Sequence, residues 1–240
     1  MNPYIAGVPV SGGGDLTWDN ITFFLNFEAN DTTDDYNMNT TPGTTCEYAN
    51  SGNTSGAYIG SGTIANVGTV GSYSFQADAD NESMTFNTTN GTEVSGTVSS
   101  AGFWFRMNNT TWIGAPIFRA RNSTGNYHGI VVVTSANGEL TLRIYNGSNH
   151  DYTSSGLGLT IGTWYFISVS WDYTSDSYTL YVNGAEEVST LDTYDAFNAT
   201  QINVGCLGSA NGRRYEIDSL IISNTAEDLY AYRNATGYNN

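Results

Sequence analysis

The chain has 240 residues, 39% hydrophobic and 13% aromatic, enough for one large β-sandwich with its own core and too apolar for a disordered chain. Only 12% of residues are charged; Asn, Thr, Ser and Gly fill the polar surface, a composition that suits turns and sheet faces and disfavours helices. The net charge of −16, with no lysine and with arginine only at 106, 119, 121, 143, 213, 214 and 233, argues against nucleic acid and anionic membranes as partners; no stretch approaches the ~20 apolar residues of a membrane span.

Residues 1–18 read as an N-terminal arm, with the Ser-Gly-Gly-Gly run at 11–14 as a flexible joint, and residues 19–240 read as one domain. MNPYIAGVPV lacks a basic start and a long apolar run, so no signal peptide is expected in this chain. Ile21–Phe27 is the first predicted strand. A long polar segment follows, of the kind that is usually functional or pinned by a metal. Strands are then expected at Ser72–Ala77, Ser83–Phe86, Gly102–Met107, Ala115–Arg121, Tyr127–Thr134 and Leu140–Tyr145. Asn137-Gly138 predicts a tight hairpin between the last two.

The segment from Gly162 to Gly184, GTWYFISVSWDYTSDSYTLYVNG, is the most legible part of the chain. Tyr165, Ile167, Val169 and Trp171 share one strand face at period two, and Tyr178, Leu180 and Val182 do the same on the next strand. Asp172 to Ser177 is turn chemistry apart from Tyr173, and Asn183-Gly184 opens a second turn into Glu186–Ser189. Trp164 and Trp171 are both expected in the core. Gln201–Cys206 and Tyr215–Ser223 complete the strands, and Thr225 with Asp228 three residues on predicts one short helix at Thr225–Arg233.

This hairpin resembles the signature of the laminin-G-like, concanavalin A-like lectin/glucanase jelly rolls, as does the terminal IDSLIISNTAEDLYAYR. The likeness covers roughly residues 20–232 and implies an all-β, two-sheet antiparallel jelly-roll sandwich with that helix at its end. It also implies a calcium ion between the opening loop and the last strand. Asp218 takes the place of the family's aspartate there, with Glu28, Asp31 and Asp34 as partners. On an alternating strand Asp218 and Leu220 lie off the Tyr215/Ile217 face.

Glycan binding is what such a fold implies first. It needs aromatics for sugar faces and planar polar groups for hydroxyls, and the candidates are Trp112, Tyr127, His128, His150, Tyr152, Arg213 and Arg214. No activity is expected. The E-x-D-x-(x)-E strand motif of hydrolases on this fold is missing: Glu28, Glu82, Glu93, Glu139 and Glu216 are isolated, and Glu186 and Glu187 alternate onto opposite faces. Cys46 and Cys206 either pair, closing a long loop worth ~3–5 kcal/mol in the chain-entropy model, or remain two buried thiols.

The expectation is therefore a non-catalytic, lectin-like module on an exterior surface, virion or extracellular, with a cell-surface or matrix glycan as partner. Other surface subunits would dock through the arm, and homo-oligomers are compatible with this. Thirteen N-x-S/T sequons fit an exterior location, although an Asn/Thr-rich chain also makes them by chance. The acidic surface fits either a salt-adapted origin or simple compositional bias. The alternatives are a structural, oligomer-forming module without a glycan, and a glycan lyase or hydrolase.

Overall fold

The computed structural model describes residues 21–25, 58–60, 63–65, 74–77, 83–87, 98–108, 114, 116–121, 128–193, 201–205 and 215–233. These form fifteen strands: β1 (Ile21–Leu25), β2 (Tyr58–Gly60), β3 (Thr63–Ala65), β4 (Ser74–Ala77), β5 (Ser83–Asn87), β6 (Val98–Met107), β7 (Pro116–Arg121), β8 (His128–Thr134), β9 (Leu140–Asn146), β10 (Asn149–Thr153), β11 (Trp164–Asp172), β12 (Ser177–Val182), β13 (Ala185–Leu191), β14 (Gln201–Gly205) and β15 (Tyr215–Ser223). They make two antiparallel sheets. One runs β13-β12-β11-β6-β15-β4-β3, with β1 also paired to β15; the other runs β10-β9-β8-β7-β14-β5-β2. The all-β sandwich expected from the sequence is the fold observed. None of its helical turns is long and apolar enough to cross a membrane, among the described residues.

The core lies between the sheets. The alternating faces of the β11–β12 hairpin supply Ile167, Val169, Trp171, Tyr178, Leu180 and Val182, and Phe103, Phe105, Ile130, Val132, Leu142 and Ile144 meet them. Both tight turns form as the sequence predicts. Asn183 and Gly184 take φ of 52° and 80°, and Asn137 and Gly138 take 60° and 77°, the left-handed pairs that short hairpins require.

Three expectations need correction. The C-terminal helix is only a 3-10 turn, Leu229–Tyr232; its cap is Asp228, whose carboxylate accepts from the Tyr230 amide, while the Thr225 hydroxyl is drawn instead to Ser223 and Glu227. Leu229 and Tyr232 press against Phe166 and Ile221, so packing on the sheet's outer face, not helix propensity, sets this segment's shape. Trp164 is not core: it points outward and lies under the Arg106 guanidinium, 4.8 Å from the ring centre. Leu220 leaves the face of Asp218 and joins the core, because a bulge at Ser219, with φ of 49°, inserts a residue and resets the alternation.

The two outer faces differ. The eight-stranded sheet is covered at its middle by residues 224–233, and every residue of β15 is buried. Gly102 makes that cover possible, since a Cβ there would meet the Phe166 ring at 2.8 Å and Leu229 Cβ at 3.1 Å. The outer face of the seven-stranded sheet carries a groove.

Candidate functional site

Strand registers place the groove residues in two rows across the seven-stranded sheet. In one, Arg119 stands opposite Val131, which stands opposite Arg143, which stands opposite Asp151. In the next, Arg121, Gly129, Tyr145 and Asn149 follow one another in the same way. On the other side of β7, β14 sets Asn203 beside Arg119 and Gln201 beside Arg121.

Alternation explains why these side chains share the face. In β7, Phe118 and Ala120 go to the core, so Arg119 and Arg121 turn outward. In β9, Leu142 and Ile144 go inward, and Arg143 and Tyr145 outward. The central strand β8 offers only Gly129 and Val131 between them. A Cβ at Gly129 would lie 2.3 Å from the Ala120 carbonyl oxygen, so the position takes no side chain and the sheet surface dips there. The result is a groove of about 290 Å³, near the low end for small-ligand sites. Gly129 and Val131 form its floor, Arg119 and Arg121 one wall, and Arg143 and Tyr145 the other.

The groove gathers arginines. Three of the seven basic residues line it, and in the rows that cross it the described residues include one carboxylate, Asp151. Arg143 grips that carboxylate with both arms of its fork, Nε to Oδ1 at 2.6 Å and a terminal nitrogen to Oδ2 at 2.7 Å. These hydrogen bonds hold the Asp151 carboxyl below its ordinary range and raise the Arg143 guanidinium.

Of the candidates named from the sequence, Trp112, Tyr127, Arg213, Arg214, Glu28, Asp31, Asp34, Cys46 and Cys206 lie outside the described residues, as does the arm. His128 opens β8 opposite Asn146. Tyr152 and His150 lie on the same edge strand, β10, on the face that pairs with the inward Leu142 and Ile144. The Tyr152 hydroxyl donates to Asp192 Oδ2 at 2.9 Å, and His150 Nδ1 hydrogen-bonds the same oxygen at 2.8 Å. Asp192 follows β13, so this contact ties the edge strands of the two sheets together, and burial chiefly holds the Tyr152 phenol above its ordinary value. Asp218 is fully buried at the Ser219 bulge and accepts from the Ser219 hydroxyl at 3.2 Å. Among the described residues, no three His, Cys, Asp or Glu side chains gather as a metal site requires.

The groove arginines and Tyr145 were not among the sequence candidates. The signal was present in PIFRAR, where two arginines two apart must share a face.

Residues 78–225 match a family model described as the Concanavalin A-like lectin/glucanases superfamily. A search of curated protein sequences returns no match. Among solved structures, the binding domain of Paraclostridial Mosquitocidal Protein 1 is similar, with a TM-score of 0.66 and 18% identity over 88% of this chain and 50% of that one. The receptor binding domain of botulinum neurotoxin C/D mosaic serotype gives 0.62 and 14%, over 88% and 49%. Domain 4 of AbnA, a GH43 extracellular arabinanase from Geobacillus stearothermophilus, in complex with arabinotriose, gives 0.63 and 17%, over 89% and 98%. The chain thus spans about half the length of the toxin binding domains and nearly all of the arabinanase domain. At these identities the likeness is one of fold.

Proposed function

The chain belongs to the concanavalin A-like lectin/glucanases superfamily, and from that premise we propose that it is a non-catalytic, lectin-like module that binds carbohydrate in the groove of its seven-stranded sheet. The observation that carries this reading is the groove itself: a floor of Gly129 and Val131 between two walls of planar polar and aromatic side chains. Tyr145 offers a flat face for a sugar ring, and guanidinium forks suit its hydroxyls. Hydrolysis needs two carboxylates ~5–10 Å apart, whereas the one described at the groove, Asp151, is tied to Arg143. This favours binding. An exterior setting, on a virion or another surface with the N-terminal arm toward neighbouring subunits, is part of the proposal; the sequons and the strongly acidic surface support it.

The test is a glycan array with the purified protein, followed by calorimetry on the best ligand. Tyr145→Ala is expected to weaken binding about tenfold or more, as removal of a central aromatic contact does. Gly129→Val should fill the groove and abolish binding. Since that variant strains the β7–β8 pairing, Tyr145→Ala is the decisive one. Undiminished binding by Tyr145→Ala would place the glycan elsewhere. No binding to any glycan by the folded protein would favour the structural, oligomer-forming module.

Calcium belongs to the same proposal. Calcium takes six to eight oxygens, and of the four expected ligands only Asp218 is described. Its setting suits the role: a fully buried carboxylate at a bulge, with Leu25 paired to Leu220 so that β1 ends beside it, three residues before Glu28. With Glu28, Asp31 and Asp34 it would pin the opening loop to the last strand. Calcium at about a hundred times its Kd would then add ~2.7 kcal/mol, or roughly 5–10 °C in Tm. A thermal melt with calcium and with chelator checks this. The shift should vanish in Asp218→Asn, and a wild-type melt indifferent to calcium would remove the ion from the proposal.

A further inference from the structure

We propose that the Arg143–Asp151 pair on the groove wall reads two adjacent hydroxyls of a sugar, so that the groove selects neutral sugars carrying such a diol. This rests on the reading that the groove binds carbohydrate and names its ligand class.

Compensated charge is the first reason. Two of the five N–H groups of Arg143 go to Asp151, Nε to Oδ1 at 2.6 Å and a terminal nitrogen to Oδ2 at 2.7 Å. Among the described residues, these two side chains partner only each other. Their remaining N–H groups and carboxylate lone pairs lie on side chains 31% and 41% accessible. The pair is therefore a fixed patch of matched charge with donors beside acceptors. The fork's hydrogen bonds hold the Asp151 carboxyl below its ordinary range, so it stays an acceptor at neutral pH. An anionic ligand meets a guanidinium whose charge is already matched and a carboxylate that repels it. Arg119 and Arg121 also interact within the protein, and they shape the far wall.

Complementarity is the second. A hydroxyl both donates and accepts. Two adjacent gauche hydroxyls on a pyranose stand about one hydrogen-bond length apart, the same spacing as the Arg143 nitrogens and the Asp151 oxygens. One hydroxyl accepts from Arg143 while its neighbour donates to Asp151, and both bonds are charge-assisted. A lone hydroxyl, or a trans-diaxial pair whose oxygens point apart, makes only one of them. A site that hydrogen-bonds a hydroxyl rejects the analogue lacking it far better than an apolar contact rejects a missing methylene.

Placement is the third. Tyr145 follows Arg143 by two on β9, about 7 Å away between Cα atoms and on the same outward face. Gly129 stands opposite Tyr145 on β8 and leaves a gap, because a Cβ there would lie 2.3 Å from the Ala120 carbonyl oxygen. A ring lying against Tyr145 over this gap turns its edge, and the hydroxyls on that edge, toward Arg143 and Asp151. Asn149, opposite Tyr145 on β10, lines the same end of the groove with a neutral amide. This end thus offers a compensated ion pair, a phenol and an amide, none of which calls for a charged ligand.

The experiment is calorimetry of the full chain with the methyl glycosides of three β-1,4-linked trisaccharides, cellotriose, mannotriose and galactotriose, and with the counterpart of each lacking every O3. Removing O3 abolishes the vicinal diols of all three without adding bulk. Trigalacturonate is the acidic arm. At least one neutral trisaccharide should bind, and its O3-deficient counterpart should bind about tenfold or more weakly. That ratio should vanish in the Arg143→Gln/Asp151→Asn double variant. An exposed ion pair contributes little to stability, so this variant should fold, which circular dichroism checks. Tyr145→Ala should weaken both members of each pair of sugars. Equal affinity with and without O3, with Tyr145→Ala weakening both, would overturn the diol reading and leave the glycan groove standing. A ratio that survives the double variant would assign the diol contact to other residues and overturn the proposal. Tighter binding of trigalacturonate than of any neutral trisaccharide would overturn the neutral preference. No binding of any sugar would overturn both readings.

Discussion

Trp171→Ala is expected to lower the unfolding free energy by about 4 kcal/mol, within the range for emptying a large aromatic site in a packed core. Trp171 is among the largest fully buried side chains, 1% exposed, on the inward face of β11 between Ser99 of β6 and Tyr178 of β12. Strands on both sides hold the backbone in register, so the cavity has little freedom to collapse. For a chain of this length the loss corresponds to roughly 8–16 °C in Tm, read by calorimetry or by far-ultraviolet circular dichroism. Trp171→Phe makes the contrast. The indole N–H finds no acceptor among the described residues, so phenylalanine keeps much of the volume and removes a buried unpaired donor. Its expected cost is about 1 kcal/mol or less. Equal losses in the two variants would mean that the indole nitrogen has a partner outside the described residues.

Glu216→Ala is the second large effect, about 3 kcal/mol. Glu216 is 3% exposed in the middle of the eight-stranded sheet, directly opposite Arg106 on β6. It forms an ion pair with Arg106 and accepts a hydrogen bond from Asn108 Nδ2 at 2.7 Å. Its loss strands the Arg106 guanidinium over the Trp164 ring without this counter-charge. Breaking a buried pair by removing one partner typically destabilises by ~3–5 kcal/mol, and the lower end applies because the Arg106 side chain keeps 20% of its accessibility and can reach water. Arg106→Met/Glu216→Leu should regain most of that loss, since a well-packed apolar pair of similar volume replaces the charges. Denaturant unfolding of Arg106→Met, Glu216→Leu and the double variant closes the cycle. Additive losses would mean that the two charges do not depend on each other.

Much of the sandwich was legible because strands with one face in a core alternate. The inward sets of β11 and β12 follow directly from period two, and the two Asn-Gly pairs mark the turns that only positive φ closes. Other parts were not legible. The short β10 reads NHDYT, without β-branched residues until its end, and it holds because β9 supplies a ladder and Asp192 a clasp. The final segment carried the marks of a helix start, yet contacts with Phe166 and Ile221 limited it to one 3-10 turn.

The candidate site divides the same way. Arg119 and Arg121 share a face by their spacing alone, and the Asn137-Gly138 hairpin alone sets Val131 opposite Arg143. Whether those two pieces adjoin depends on β7 pairing with β8, and on a glycine that keeps the space between them open. Local alternation determined which residues face out, because each strand's own pleat imposes it. Strand order decided which outward residues meet, because pairings such as Arg121 with Gln201 join distant parts of the chain and follow from how the whole core packs. The sequence by itself thus determined the fold class, the turns and the core faces, while only the tertiary structure brought three of seven scattered arginines to one groove.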